Sequence, residues 1–580
     1  MKRHVKSLWQ VRSLTFVAAA SMALPLLGGA ALTFAAGTML TACADENDPK
    51  TWVKRLDDPA QRGAAVLRLR QFFEDSLSNA GKNREDPKVK ALLDDIVEPL
   101  TKQYTGGTVA DEKTRKDLIK FLADTNDPRT APALAKALKD YEPKKNDEDV
   151  RYAAQATKTL ANAGKLTDQG LIDALWECFS KFRPSQATSI NLVTELHDAV
   201  VAVKHPSYGP KAVEKLAGVV DPKSPDSMMD QVMFWQKTAV QVIGELKFTA
   251  AAKPLVTMLL TPTKGDLRAT VRTALLKMPK EAEPHLIAAL KGTDPDLAKL
   301  GAAFPEKAHI AVLSETIAYI SRTTGRDAIL EALGTADSDQ NRTILAMNLV
   351  HFPNDAKVEE AYLAAYSKIS PEASIALMGG GNGRAILIQA AAHFYDPKLV
   401  DFAIKEKNAA KGDHAEEVAA GAIDAAIKVM KEDQIKQVGI VVAQLTGPAT
   451  EKDKFAAASK VVEKCKADAA CYVKHLDEPI PTTPEAAKMG HIKATWMAAT
   501  FGNDGTRKDL LAKIDKVKDP SVRLSMAEAI DHLGPKGDVA GADQLDKMID
   551  ADKASGNKGL LQADDAVAKV SLKLRSRATQ

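Results

Sequence analysis

The chain predicts an all-α fold: after an N-terminal signal segment, a right-handed α-solenoid of stacked antiparallel helix hairpins with an irregular period. Three observations carry this. The chain is 45% hydrophobic but only 5% aromatic, and Ala, Leu, Lys, Asp and Glu dominate, as in helical proteins. Apolar residues recur at helical spacing in short paired runs. No window alternates apolar and polar residues between turn signals as strands do.

In chain order, Trp52, Val53 and Leu56 precede Asp58-Pro59, and Ala65, Val66, Leu69, Phe72 and Phe73 follow. Leu134, Ala137 and Leu138 make one stripe. After the loop Pro143-Lys144-Lys145-Asn146, Val150, Ala153, Ala154, Thr157, Leu160 and Ala161 make its partner. Val232, Trp235, Ala239, Val242, Ile243 and Leu246 predict a helix over residues 231–246. Leu255, Val256, Leu259 and Leu260 pair across Lys264-Gly265-Asp266 with Leu267, Val271, Ala274 and Leu275. Residues 309–320 and 384–394 read as further helices. In residues 506–534, Leu510, Leu511, Ile514 and Val517 form a stripe that Asp519-Pro520 breaks, and Val522, Met526, Ala529, Ile530 and Leu533 form the next. No such helix buries its apolar face alone; a stack of hairpins does.

These windows resemble HEAT repeats, two-helix units with an Asp at the inner turn and a Val-Arg soon after. Asp149-Val150-Arg151 and Asp519 with Val522-Arg523 match best, Asp266 with Val271-Arg272 has a longer gap, and Asp58 with Arg62 lacks the valine. Asp at such a turn caps free N–H groups, Pro suits the first helical position, and Val opens the buried face. In the family the Arg ladders with the Asp of the next repeat, which the resemblance implies here. The period drifts between about 30 and 50 residues, and the tetratricopeptide signature is not apparent. The expected organisation is a signal peptide over 1–42, a short tether over 43–50, the solenoid over 51–550, and a flexible loop with a capping helix over 551–580.

The N-terminus carries Lys2, Arg3, Lys6 and Arg12, then an uncharged apolar stretch over 13–42, then the polar Ala44-Asp45-Glu46-Asn47-Asp48. That order is an export signal. Leu40-Thr41-Ala42-Cys43 resembles the lipobox of bacterial lipoproteins, which implies lipidation at Cys43 and attachment to a membrane of the cell envelope. Ala44 after the cysteine favours the outer membrane by resemblance to enteric sorting rules. An uncleaved anchor and plain secretion are the alternatives, and all three place the bulk of the chain outside the cytoplasm.

Without the four leader cations the formal charge of +3 falls to about −1. No basic run with interleaved aromatics is present, so nucleic acid is not an expected partner. Cys178 lies on the stripe Leu171, Leu175, Phe179, Phe182 and reads as an inert core thiol. Cys465 and Cys471 would be about 9 Å apart along one continuous helix, too far to bridge. A break at residues 466–469 would let them close a disulfide, which export permits, while His475 with both would make an incomplete metal set.

No catalytic constellation and no cofactor signature stand out. There is no HExxH and no G-x-S-x-G, and Ser555-Gly556-Asn557-Lys558 lacks the companions of an S-x-x-K site. His197, His393 and His532 read as satisfied histidines flanking helix stripes, and Asp147-Glu148-Asp149 as solvated turns and caps. Gly379-Gly380-Gly381-Asn382-Gly383-Arg384 is a candidate anion-binding loop through Gly380, Gly381, Gly383 and Arg384. The expected function is a non-catalytic, lipid-anchored scaffold that binds other envelope proteins through its helical surface. The alternative is a lyase-like or small-ligand-binding repeat protein.

Overall fold

A computed structural model describes residues 45–218, 227–445 and 450–580. The expected signal peptide over 1–42 and the expected lipidation site Cys43 lie outside the described residues. The fold is an all-α solenoid of antiparallel hairpins; among the described residues the only strands are Ser374–Ile375 and Gly381–Asn382.

Local chemistry makes the helices as the pattern requires. Pro520–His532 starts on Asp519, whose carboxylate accepts from the N–H groups of Ser521 and Val522, and buries Val522, Met526, Ala529 and Ile530. Glu112–Thr125 starts on Asp111 and ends at Asn126 in the left-handed region. Residues 231–246 depart from a single α-helix: Ser227–Gln236 is π-helical and only Lys237–Leu246 is α. Side chains hold that segment to neighbours, Asp230 accepting from Ser185 and Trp235 donating to the Phe179 carbonyl.

The second helices of the hairpins stack into one continuous row. It begins with Arg62–Asn79, Glu112–Thr125, Asp147–Asn162, Ile190–Val203, Lys237–Leu246 and Arg268–Leu276, each packed on the next. It continues through His309–Ile320, Asp339–Leu349, Gly383–Ala391, Ala415–Val429, Met489–Phe501, Pro520–His532 and Leu561–Arg577. The last of these packs back on His309–Ile320. Among the described residues, the helices from His309–Ile320 to Leu561–Arg577 therefore form a closed ring with seven inner helices, and the helices before it form an open array that runs into the ring wall. Leu561–Arg577, expected as an end cap, meets the middle of the chain.

Basic residues of one repeat hold acids of the next about 30 to 40 positions later. Lys253 pairs with Asp294 at 2.7 Å and Lys488 with Asp519 at 2.8 Å, and Arg326 pairs with Asp355 and Arg507 with Asp538. Arg523, fully buried, bonds the Val517 carbonyl and pairs with Asp552 and Asp564 of the following repeat. Arg151 does not ladder; it pairs with Glu148 on its own helix. Asp149 is not a cap either. Asn146 precedes the helix, and Asp149 is buried, accepting from the Tyr104 hydroxyl at 2.8 Å and facing Arg115 at 2.8 Å. Asp147 likewise leaves solvent to accept from Thr188. Asp147 and Asp149 thus join their helix to neighbouring segments while Glu148 stays on its own, a division that a single helix pattern does not reveal.

Candidate functional site: an open row and a closed ring

Along its exposed face the row carries one polar seam that joins each helix to the next. Arg70 meets Asp124 at 3.5 Å, the Lys120 ammonium lies 5.9 Å from the Tyr152 ring, and Lys158 reaches Glu195 at 2.6 Å and Asp198 at 3.3 Å. His197 then meets Gln241 at 2.5 Å, Glu245 pairs with Lys277, and Arg272 grips Glu315 with two bonds of 2.7 Å. These groups are partly exposed, so each pair contributes on the order of 0 to 1 kcal/mol. Their effect is to set the spacing of the helices while leaving the face between them open to solvent.

At Tyr319 the seam enters the ring. Lys569 of the closing helix lies 5.0 Å from the Tyr319 ring and Arg272 lies 5.4 Å from it on the array side. Behind Tyr319 is a cavity of about 330 Å³, lined from five of the seven inner helices or the turns that follow them. Its polar wall comes from the segments around residues 351, 393, 531 and 573, which are far apart in sequence.

Burial dominates the electrostatics of this wall. Asp531 faces Lys573 at 2.7 Å and Arg577 at 2.9 Å. Burial works against its charge, but the two cations prevail and hold its carboxyl down at about 2. Lys573 also contacts His351 Nδ1 at 3.0 Å, and burial lowers its ammonium below the usual lysine range. Burial, with Lys573 beside it, pushes His351 well below the usual histidine range. Burial lowers His393 too and brings His532 to about 4. Tyr395, in the left-handed region at φ 56°, stacks on Trp496 at 4.5 Å and meets the His532 ring at 4.3 Å. His393 and His532 are therefore parts of this wall rather than ordinary flank residues, while His197 belongs to the seam. Burial thus favours the neutral form of all three histidines, and the wall can orient a bound group by hydrogen bonds and by its lysines.

The glycine loop is not an open nest. The Gly380 N–H bonds the Ile375 carbonyl, the Gly383 N–H bonds the Ala373 carbonyl, and the Asn382 N–H bonds the Glu417 carboxylate at 3.0 Å. Gly381 sits beside that carboxylate, and Arg384 Nε donates to the Ile369 carbonyl. The N–H groups of Gly380, Asn382 and Gly383 are thus already bonded, and a carboxylate lies against the loop. The loop is instead a small hairpin whose buried Asn382 caps the next helix.

Helix Thr450–Cys465 ends at Lys466 in the left-handed region, and Asp468 caps Ala469–His475. That break brings the Cα atoms of Cys465 and Cys471 to 5.3 Å, and their sulfurs are bonded. His475 turns to Glu478 at 3.0 Å, and among the described residues no His, Cys, Asp and Glu group could hold a metal. Cys178 is buried and free, and burial pushes its thiol up to about 12. Reducing the short Cys465–Cys471 loop is expected to cost about 2 kcal/mol, read as a lower urea midpoint with dithiothreitol than without; an unchanged midpoint would show that the bridge adds nothing.

No protein-family model matches the chain, and no curated protein matches it. Among solved structures, importin beta in an ammonium sulfate condition is similar over 91% of this chain and 84% of that chain, with 9% identity and a TM-score of 0.27. Importin beta in a polyethylene glycol condition is similar over 91% and 77%, with 12% identity and a TM-score of 0.30. A chain from a structure concerning a phosphorylation switch between cadherin and beta-catenin is similar over 91% and 99%, with 14% identity and a TM-score of 0.24. By its own helix contacts, the chain is an all-α, HEAT-like solenoid that is open in its first half and closed in its second.

Proposed function

We propose that the protein is a non-catalytic scaffold that binds other envelope proteins along the open part of its inner row, between residues 62 and 276, and is held at a membrane by a lipid on Cys43. The supporting observation is that one continuous helix row is open before residue 309 and closed after it. Only the first half offers a long accessible face, and faces of this kind grip extended or helical segments through many modest contacts. The mixed charges of the seam favour a partner segment that is itself of mixed charge. The first helix begins at Pro49, six residues after Cys43, so a lipid there would hold the open face beside the bilayer. Among the described residues no helix is long and apolar enough to cross a membrane.

Photocrosslinkers at Gln155 and Gln241 on the row, and at Lys102 on the opposite helix layer, test the binding face in cells. An envelope protein captured from the first two and not from Lys102 supports the reading; equal capture from all three, or none, defeats it. Cys43→Ser is expected to move the protein out of the membrane fraction. Retention as an integral membrane protein would replace the lipid with an uncleaved anchor.

A further inference from the structure

We propose that the cavity inside the ring binds a small monocarboxylic acid with an apolar body, its carboxylate seated on the Lys569 and Lys573 ammonium groups. The inference is independent of what the open array binds. A volume of about 330 Å³ lies within the range of small-molecule sites. Met347, Val350, Leu524 and Val570 supply an apolar surface for the body of such an acid.

Local pairing of the charges selects the head group. Lys573 and Arg577 are almost wholly buried and share one carboxylate, Asp531. Lys569, exposed at the mouth, has the Tyr319 ring face but no carboxylate within 4.0 Å among the described residues. The remaining acid on the wall is Glu528, whose nearest basic neighbour is His393 at 4.0 Å. The lining itself carries two lysines and two carboxylates; Asp531 is held by Lys573 and by Arg577 behind it, which leaves Lys569, one helical turn from Lys573, as the cation at the mouth without a carboxylate partner among the described residues. Lys573 bonds Asp531 and His351, which leaves one of its three N–H donors for a ligand. A single carboxylate would give Lys569 a partner and take the spare Lys573 donor, and a second would be repelled by Glu528 and Asp531.

Calorimetric titration of the full chain with phenylacetate and hexanoate, against 2-phenylethanol and phenylmalonate, tests this. At least one monoacid is expected to bind saturably at one site, with the neutral alcohol and the dianion weaker by about tenfold or more, the worth of a hydrogen bond to a charged group. Lys569→Met should weaken the acid about tenfold with no change in melting temperature, because its side chain is exposed. Ala566→Leu, which narrows the cavity from its partly exposed wall, should abolish binding. The proposal is overturned if neither acid binds, if the alcohol binds as well as the acid, or if both variants bind as the parent does.

Discussion

Arg577→Ala is expected to destabilise the protein by about 3–5 kcal/mol, the cost of stripping one partner from a buried charge pair, and to open the ring. Arg577 lies three residues from the end of the chain, yet it is 3% exposed. Its Nε and Nη2 donate to Ser321 Oγ at 3.0 and 2.8 Å, and Nη2 also reaches the His351 carbonyl at 3.1 Å. Its Nη1 donates to the carbonyls of Asp531 and Gly534 at 2.9 and 3.1 Å. One guanidinium thus joins the His309–Ile320 helix end, the turn after Asp339–Leu349 and the Pro520–His532 helix. Removing it orphans buried acceptors and leaves Asp531 with Lys573 alone. The check is a urea titration, with hydrogen exchange of residues 309–320 and 561–577 to read the opening. Arg575→Ala is the control: its pairs with Asp543 and Asp546 are partly exposed, and its loss should cost on the order of 0 to 1 kcal/mol. Equal costs for the two variants would refute the closure role.

Acidification from pH 7.5 to 5 is expected to weaken the fold through the same wall. His532 has a folded pKa of about 4 against an ordinary 6.5, so between these values the unfolded chain binds more protons than the native one. Its contribution is full above pH 6.5 and is lost as pH falls to about 4, about 3 kcal/mol when the whole interval is crossed. His351 and His393 are shifted the same way and add to the slope. The groups facing His532 are Asp531, which favours its protonation, and Arg577 and His393, which oppose it. Asp531 adds its own loss only in stronger acid, between pH 3.8 and about 2. The urea midpoint should therefore fall steadily below pH 6.5, and His532→Gln should flatten the fall. An unchanged slope in that variant would remove His532 from the account.

The helices and their hairpin pairing were legible because they rest on neighbours within a few residues: apolar spacing, an Asp before a helix, a Pro at its first position. Asp519 with Val522 shows the rule at work. Asp149 shows its limit, since its partners Tyr104 and Arg115 sit one repeat earlier and its role is to join repeats. The glycine run looked open because its occupant, Glu417, lies more than thirty residues on. Lys573 and Arg577 lie in the segment expected as a capping helix, yet both are buried. A signal that would have raised suspicion is that these basic residues interrupt the apolar stripe Val567, Val570 and Leu574.

By itself the sequence determined an α-helical repeat chain of small net charge. Only the tertiary structure decided that the second half closes into a ring, that Ser321 and Arg577 meet across 256 positions, and that a cavity walled by three buried or half-buried histidines lies inside. The physical reason is that helix formation depends on a period of 3.6 residues and a few local caps. Closure depends on the small rotation added at each hairpin, which follows from side-chain packing between repeats and accumulates over the whole array.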